Sequence, residues 1–244
     1  MIGLPSTITA CLFDLDGVLT STAALHLRAW RQTFDDFLRQ RSGEDFVPFT
    51  ERDYAAYVDG LPRLDGVRTF LAARGITLPE GSPDDRADTP TVHGVGNHKN
   101  ELLLRIISES GVTPYPGSVR YLEAVRDAGL AIAVVTSSAN AASVLAAAGL
   151  DRFTQARIDG IVISRDRLRG KPAPDSFLAG ARVLGVEPAN AAVFEDAQAG
   201  VRAGRAGRFG YVVGVNRADQ ADALRAQGAD IVVDDLADLL EVSR

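Results

Sequence analysis

Four short stretches carry residue types that could do chemistry together. The first, CLFDLDGVLT (11–20), is an apolar run that ends by placing two carboxylates, Asp14 and Asp16, two residues apart. Buried carboxylates cost several kcal/mol each unless protonated, paired or bound to a metal, so a cation is expected beside them. The other stretches supply complementary groups. LAIAVVT (130–136) ends in Thr136, followed by Ser137 and Ser138; AAVFED (191–196) ends in Glu195 and Asp196; GKPAPD (170–175) sets Lys171 before a proline-started helix.

Asp14, Glu195 and Asp196 offer hard oxygen ligands suited to Mg²⁺. The hydroxyls of Thr136 and Ser137, with the N–H groups that open the next helix, make a phosphate cradle. Lys171 can offset the negative charge and touch a phosphoryl oxygen. One aspartate can attack phosphorus while the other moves a proton, so the chemistry indicated is phosphoryl transfer. Each stretch alone has a plainer reading. The Asp pair could be turn residues or the start of a calcium loop, although the later acids of an EF-hand do not follow. TSS could be a helix start, and Lys171 a solvated lysine. The joint order, each group at the end of a β-unit, points to a site.

The elements that must position these groups are legible in the pattern. Apolar runs at 8–14, 130–136, 160–164, 191–196, 210–215 and 230–233 read as strands, and helical patterns closing on Gly lie between most of them. Such strands indicate an α/β fold, a Rossmann-like parallel sheet covered on both faces. In a parallel sheet, strand ends of one polarity share an edge, where ligands bind near the reversal of strand order. Residues 21–112 differ. Leu27, Trp30, Phe34 and Phe37 recur at helical spacing, 78–97 reads as a Pro/Gly/Asp-rich loop, and HKNELLLRIISES resumes a helix. We read a helical cap domain (21–112) inserted in a catalytic core (1–20 and 113–244), placed to exclude water and gate entry. Trp30 is either a ring for ligand stacking or an anchor of the cap's packing.

Composition excludes several classes. The 244 residues are 46% hydrophobic with a formal net charge of −6, and the 26 Lys and Arg are scattered, leaving no basic footprint for nucleic acid. No run approaches the roughly 18 apolar residues of a membrane span. The start has no basic region preceding an apolar one, which argues against a signal peptide. Cys11 is the single cysteine, so no intrachain disulfide forms; it reads as a buried core residue or, alternatively, a thiol nucleophile. The expectation is a reduced, cytoplasmic protein, monomeric or weakly oligomeric.

DLDGVLT, VVTSSAN, GKPAPD and VFEDAQAG, in this order, resemble the signatures of the haloacid dehalogenase superfamily of phosphotransferases, and the resemblance covers nearly the whole chain. It implies Asp14 as nucleophile, Asp16 as general acid/base, Thr136 as a ligand of the transferring phosphoryl group, and Lys171 as the residue orienting both. Glu195, Asp196, Asp14 and the Asp16 main-chain carbonyl would hold Mg²⁺. The insertion after the first motif matches the cap of subfamily I.

Further segments are similar to the β-phosphoglucomutase family: GVLTSTAALHLRAW with His26 and Trp30, LDGV with Gly66 and Val67, HKN with Lys99 and Asn100, YPGS at 115–118, and SSAN with Ser138 and Asn140. The likeness implies that Gly66, Val67 and His26 couple closure to catalysis, and that Ser138 and Asn140 help hold a second phosphate. Without it, His26 would read as a surface or packing residue. The chain departs from the family at Ser21, where an acid is usual, at Ala139, where a lysine is, and at Thr69, where the cap arginine falls; Arg68 and Arg63 are the nearby cations. The activity implied is a Mg²⁺-dependent mutase acting on a small phosphorylated sugar, β-D-glucose 1-phosphate to glucose 6-phosphate, through an aspartyl phosphate. The alternatives are a phosphatase of small sugar or metabolite phosphates and, from another class, a non-catalytic sugar-phosphate-binding protein.

Overall fold

The computed structural model describes residues 2–241. Its elements divide into two compact units, one of residues 2–21 and 112–241 and one of residues 22–111.

The first unit is built on six parallel strands in the order β3-β2-β1-β4-β5-β6. These are β1 (Ala10–Phe13), β2 (Ala131–Val135), β3 (Ala156–Ile158), β4 (Ala191–Glu195), β5 (Tyr211–Val215) and β6 (Ile231–Val233). Every residue of β1 and β4 is buried, as short apolar strands covered on both faces require. On one face Leu12, Val135 and Val193 cluster with Phe177 of α8 (Asp175–Leu184). On the other, Phe13 stacks on Phe194 at 4.3 Å and meets Tyr121 of α5 (Pro116–Asp127) edge-on. Burying side chains of this size stabilises by about 1.5–3 kcal/mol each.

Strand register carries this packing to the site. Phe13 pairs with Val134 on one side and with Phe194 on the other. The chain therefore emerges at one edge of the sheet with Asp14 after β1, Thr136 after β2, and Glu195, the last residue of β4, followed by Asp196. β1 lies where successive connections run to opposite sides, which is where a crevice opens at the carboxyl edge.

Two expectations from the sequence are corrected. Residues 160–164 are not a strand; they form helix α7 (Gly160–Arg165), and the strand is the preceding Ala156–Ile158. Asp159 decides this, because its carboxylate accepts the backbone N–H groups of Ile161 and Val162 and caps the helix. Ile163 alone in α7 is buried, whereas Ile161 is exposed, so the β-branched run does not report a strand here. The loop read over 78–97 ends early. Helix α4 (Val92–Ser110) begins at Val92, where the Thr91 hydroxyl accepts the Gly94 N–H.

The second unit is helical: α1 (Ala23–Ser42), α2 (Glu51–Tyr57), α3 (Arg63–Ala73) and α4. Its core is aromatic, with Phe34 packed between Trp30, Phe49 and Phe70 at centroid distances of 4.1–5.1 Å. The remaining helices, α6 (Ala141–Ala148), α9 (Gln198–Ala206), α10 (Ala221–Ala226) and α11 (Asp238–Glu241), belong to the first unit. Among the described residues no helix is long and apolar enough to cross a membrane.

Candidate active site

Lys171 is the cation that the acidic strand ends demand. Its side chain is fully buried, and Nζ donates to Asp14 Oδ1 at 2.6 Å, Glu195 Oε1 at 2.5 Å and the Val135 carbonyl at 3.1 Å. All three donor hydrogens of the ammonium are thereby used. Burial alone would lower the Lys171 pKa, but Asp14 and Glu195 outweigh it and hold the amine above its usual range. The acids shift as well. Burial pushes Asp14 upward, opposed by Lys171 and reinforced by Asp16. Glu195 is pushed upward by burial, opposed by Lys171 and reinforced by Asp14. One lysine does not compensate this many carboxylates.

That imbalance suits a metal. One ligand atom from each of the buried acids Asp14, Glu195 and Asp196 lies within 4.8 Å of the others. An all-carboxylate set is what an oxygen-seeking divalent cation requires, so the donor chemistry fits. Two glycines keep the set compact. Gly17 has φ +97°, and a Cβ there would fall 1.9 Å from Asp196 Oδ2; the turn after Asp16 packs directly on Asp196. A Cβ at Gly200 would fall 1.8 Å from Glu195 Oε1, so α9 can approach the carboxylate only without a side chain there. The Ala197 N–H, just before α9, donates to Glu195 Oε2 at 3.0 Å.

Asp16 and Thr136 meet across the crevice. The Thr136 hydroxyl donates to Asp16 Oδ2 at 3.3 Å and accepts the Ser138 N–H at 3.1 Å. Ser138 Oγ in turn accepts the Asn140 N–H, which starts α6. Ser137, Ser138 and Asn140 thus lie on one tight turn between β2 and α6, with backbone N–H groups facing hydroxyl acceptors. The sequence reading missed what supports this turn: Gly160, at the start of α7, donates its N–H to the Ser138 carbonyl at 2.9 Å. Asp159 is buried and is bound by Arg157 at 2.8 Å. A β-branched run mistaken for a strand hid both.

The helical unit holds the other candidates. Lys99 of α4 lies 3.1 Å from His26 Nδ1 of α1 and 5.1 Å from the Trp30 ring centroid. An ammonium only donates, so Nδ1 accepts and the neutral ring carries its proton on Nε2. Burial, then the Lys99 charge, lowers the His26 pKa well below the usual range, which fixes the neutral form. Trp30 is stacked on Phe34 in the core while its ring meets Lys99. Gly66 and Val67 are buried within α3, with Val67 in the same aromatic core. Asn100 follows Lys99 on α4 and is half-buried.

Of the two cap arginines, Arg68 is already committed: Asp65 binds it at 2.6 Å and Glu80 closes a second pair. Arg63 is half-buried, with Nε lacking a partner among the described residues, and desolvation lowers its pKa. Cys11 is fully buried in β1, and burial raises its thiol pKa far from neutrality, so it is core and not a nucleophile.

Comparison with known proteins agrees with this geometry. The family model for haloacid dehalogenase-like hydrolases matches residues 8–208. A β-phosphoglucomutase of Mycobacterium bovis is 56% identical over 98% of this chain and 94% of its own length. The β-phosphoglucomutase of Bacillus subtilis is 30% identical, covering 94% of this chain and 91% of that one. Among solved structures, β-phosphoglucomutase from Clostridium difficile superposes with a TM-score of 0.76 at 25% identity, over 95% of this chain and 93% of that one. With the parallel sheet, the acidic strand ends and the buried lysine in place, the chain belongs to the haloacid dehalogenase superfamily, in its β-phosphoglucomutase-like branch.

Proposed function

We propose that this protein is a Mg²⁺-dependent phosphosugar mutase converting β-D-glucose 1-phosphate to glucose 6-phosphate through an aspartyl phosphate. The observation that carries the reading is the pair of aspartates with separate partners. Asp14 is held by Lys171 deep in the site, whereas Asp16 meets the Thr136 hydroxyl. Such a division suits one carboxylate for attack on phosphorus and the other for moving a proton. The relatives named β-phosphoglucomutase support the choice of substrate.

Asp14 attacks phosphorus in line, forming the O–P bond of the acyl phosphate as the bond to the sugar oxygen breaks. Asp16 gives its proton to that departing oxygen. In the cycle that attack splits the C1 phosphate of the bisphosphate and releases glucose 6-phosphate. Asp16 then takes the proton from the 6-hydroxyl of an incoming β-glucose 1-phosphate, whose oxygen attacks the aspartyl phosphorus, frees Asp14 and re-forms the bisphosphate, which turns round before the next attack. Lys171, by its charge, and the Thr136 and Ser137 hydroxyls of the turn stabilise charge on the equatorial oxygens. Mg²⁺, held by Asp14, Glu195, Asp196 and the Asp16 carbonyl, would neutralise further charge on the phosphoryl group when bound. Transfer to sugar instead of water needs a site closed to solvent.

The direct test is incubation with α- or β-glucose 1-phosphate, a bisphosphate primer and Mg²⁺, following glucose 6-phosphate and free phosphate. Glucose 6-phosphate from the β-anomer is the expected product. Phosphate release without isomerisation would make the protein a phosphatase, and no turnover of either anomer would favour a binding protein.

The raised pKa values give a second test. A carboxyl raised on folding contributes stability that is present below its unfolded pKa and lost as pH rises through the folded value. Metal-free protein should therefore lose stability from about pH 4 towards neutrality. Lys171, raised above its usual range, stays charged throughout that window. Because Mg²⁺ competes with these protons, its shift in Tm should be larger at pH 8 than at pH 5. An equal shift at both pH values would disconnect the metal from these acids.

A further inference from the structure

Arg217 follows β5 in the sequence and reaches back to the turn that carries Asp16. Its Nε donates to the Gly17 carbonyl at 3.0 Å. Its Nη1 donates to the Asp234 carbonyl at 2.8 Å and to Asp235 Oδ2 at 3.4 Å. The guanidinium lies 3.8 Å from the centroid of the Tyr115 ring. Its Nη2 is buried with no partner among the described residues, a cost that a residue serving stability alone would be expected to avoid.

The turn itself explains why an outside donor matters. Within it, the Leu15 carbonyl accepts from the Leu19 and Thr20 N–H groups, and the Thr20 carbonyl accepts from Gly17 N–H. These bonds close the loop and leave the Gly17 carbonyl to Arg217. Ser118 holds the next carbonyl, that of Val18, at 2.7 Å. On its other side Gly17 packs against Asp196, with no room for a side chain. Gly17, the residue that follows Asp16, is therefore clamped between a candidate metal ligand and a guanidinium. A planar, five-donor fork fixed at several points sets an orientation better than a flexible ammonium would.

We propose that Arg217 is a positioning residue for proton transfer: by holding the Gly17 carbonyl it fixes the turn that aims the Asp16 carboxylate at the sugar oxygen. Arg217 acts only through Asp16, so this inference rests on the acid/base role given to that residue above. The consequence is selective. A leaving group that departs as a stable anion, such as p-nitrophenolate, needs no proton, whereas a sugar alkoxide does.

The experiment compares Arg217→Gln and Arg217→Lys with wild type and Asp16→Asn, measuring kcat/KM for consumption of p-nitrophenyl phosphate and of a hexose phosphate, with thermal melts of each protein. Arg217→Gln should lose about 10- to 100-fold on the hexose ester but only about threefold or less on the nitrophenyl ester. Arg217→Lys, which restores one donor, should recover part of the difference, and it decides the question if Arg217→Gln does not fold. Equal losses on the two esters, or none on either, in a folded variant would overturn the proposal while an ester-selective loss in Asp16→Asn leaves the acid/base reading standing. If Asp16→Asn itself shows no ester selectivity, that reading falls and takes the role of Arg217 with it. Counting ester consumed makes the comparison independent of whether water or sugar receives the phosphate.

Discussion

Asp14→Asn should lower turnover of the phosphosugar by roughly 10⁴-fold or more, with the fold unchanged. An amide is a far poorer nucleophile than a carboxylate and forms no aspartyl phosphate, so the loss falls in kcat and not in KM. The site tolerates the change structurally. Lys171 keeps Glu195 and the Val135 carbonyl, so no ammonium is left unpaired. Burial already disfavours the ionised form of Asp14. Removing its charge should leave the metal-free protein melting at or above the wild-type temperature at neutral pH. Trapped phosphoenzyme should be detected by mass spectrometry in wild type and absent from the variant. A variant that retains turnover would remove Asp14 from the nucleophile's role.

Lys171→Met has the opposite profile, costing stability and activity together. Methionine fills much of the lysine stem's volume, but Asp14 and Glu195 then lose their shared cation, with side chains only 9% and 1% exposed. Breaking a buried ion pair from one side typically costs about 3–5 kcal/mol. Protonating the acids relieves the repulsion, so the metal-free variant should be closest to wild type near pH 5 and furthest from it near pH 8. Denaturant unfolding at the two pH values measures this, and a pH-independent difference would show that the acids are not the cause. Turnover should fall by about 10²–10³-fold even with Mg²⁺ present, through lost electrostatic stabilisation. Equal activity would mean that Lys171 serves only the fold.

These effects trace back to features of unequal visibility in the chain. Asp14, Asp16, Thr136, Glu195 and Asp196 stood out because polar groups at the ends of apolar strands are costly, and a parallel sheet gathers such ends on one edge. Lys171 stood out only through its company; alone it reads as a surface lysine, yet it is fully buried. The third strand was misplaced because Gly160–Arg165 has strand-like residues, while one capping carboxylate, Asp159, makes it a helix. Arg217 gave no signal, since its partners Gly17, Tyr115 and Asp235 are scattered along the chain. Arg68 reads in the sequence as a cation near the cap-arginine position, and only the fold sets Glu80, twelve residues on, against it.

By itself the sequence determined the sheet class, the inserted helical region, the strand-end groups and the phosphoryl chemistry they suggest. These follow from local hydrophobic period and from residue types that carry their chemistry wherever they are placed. Only the tertiary structure decided which partner each cation has: Lys171 with Asp14 and Glu195, Arg68 with Asp65 and Glu80, Lys99 with the neutral His26, and Arg217 with the turn beyond Asp16. The physical reason is range. Period and propensity act over a few residues, whereas the strength of a buried charge depends on what the folded chain sets within about 4 Å of it.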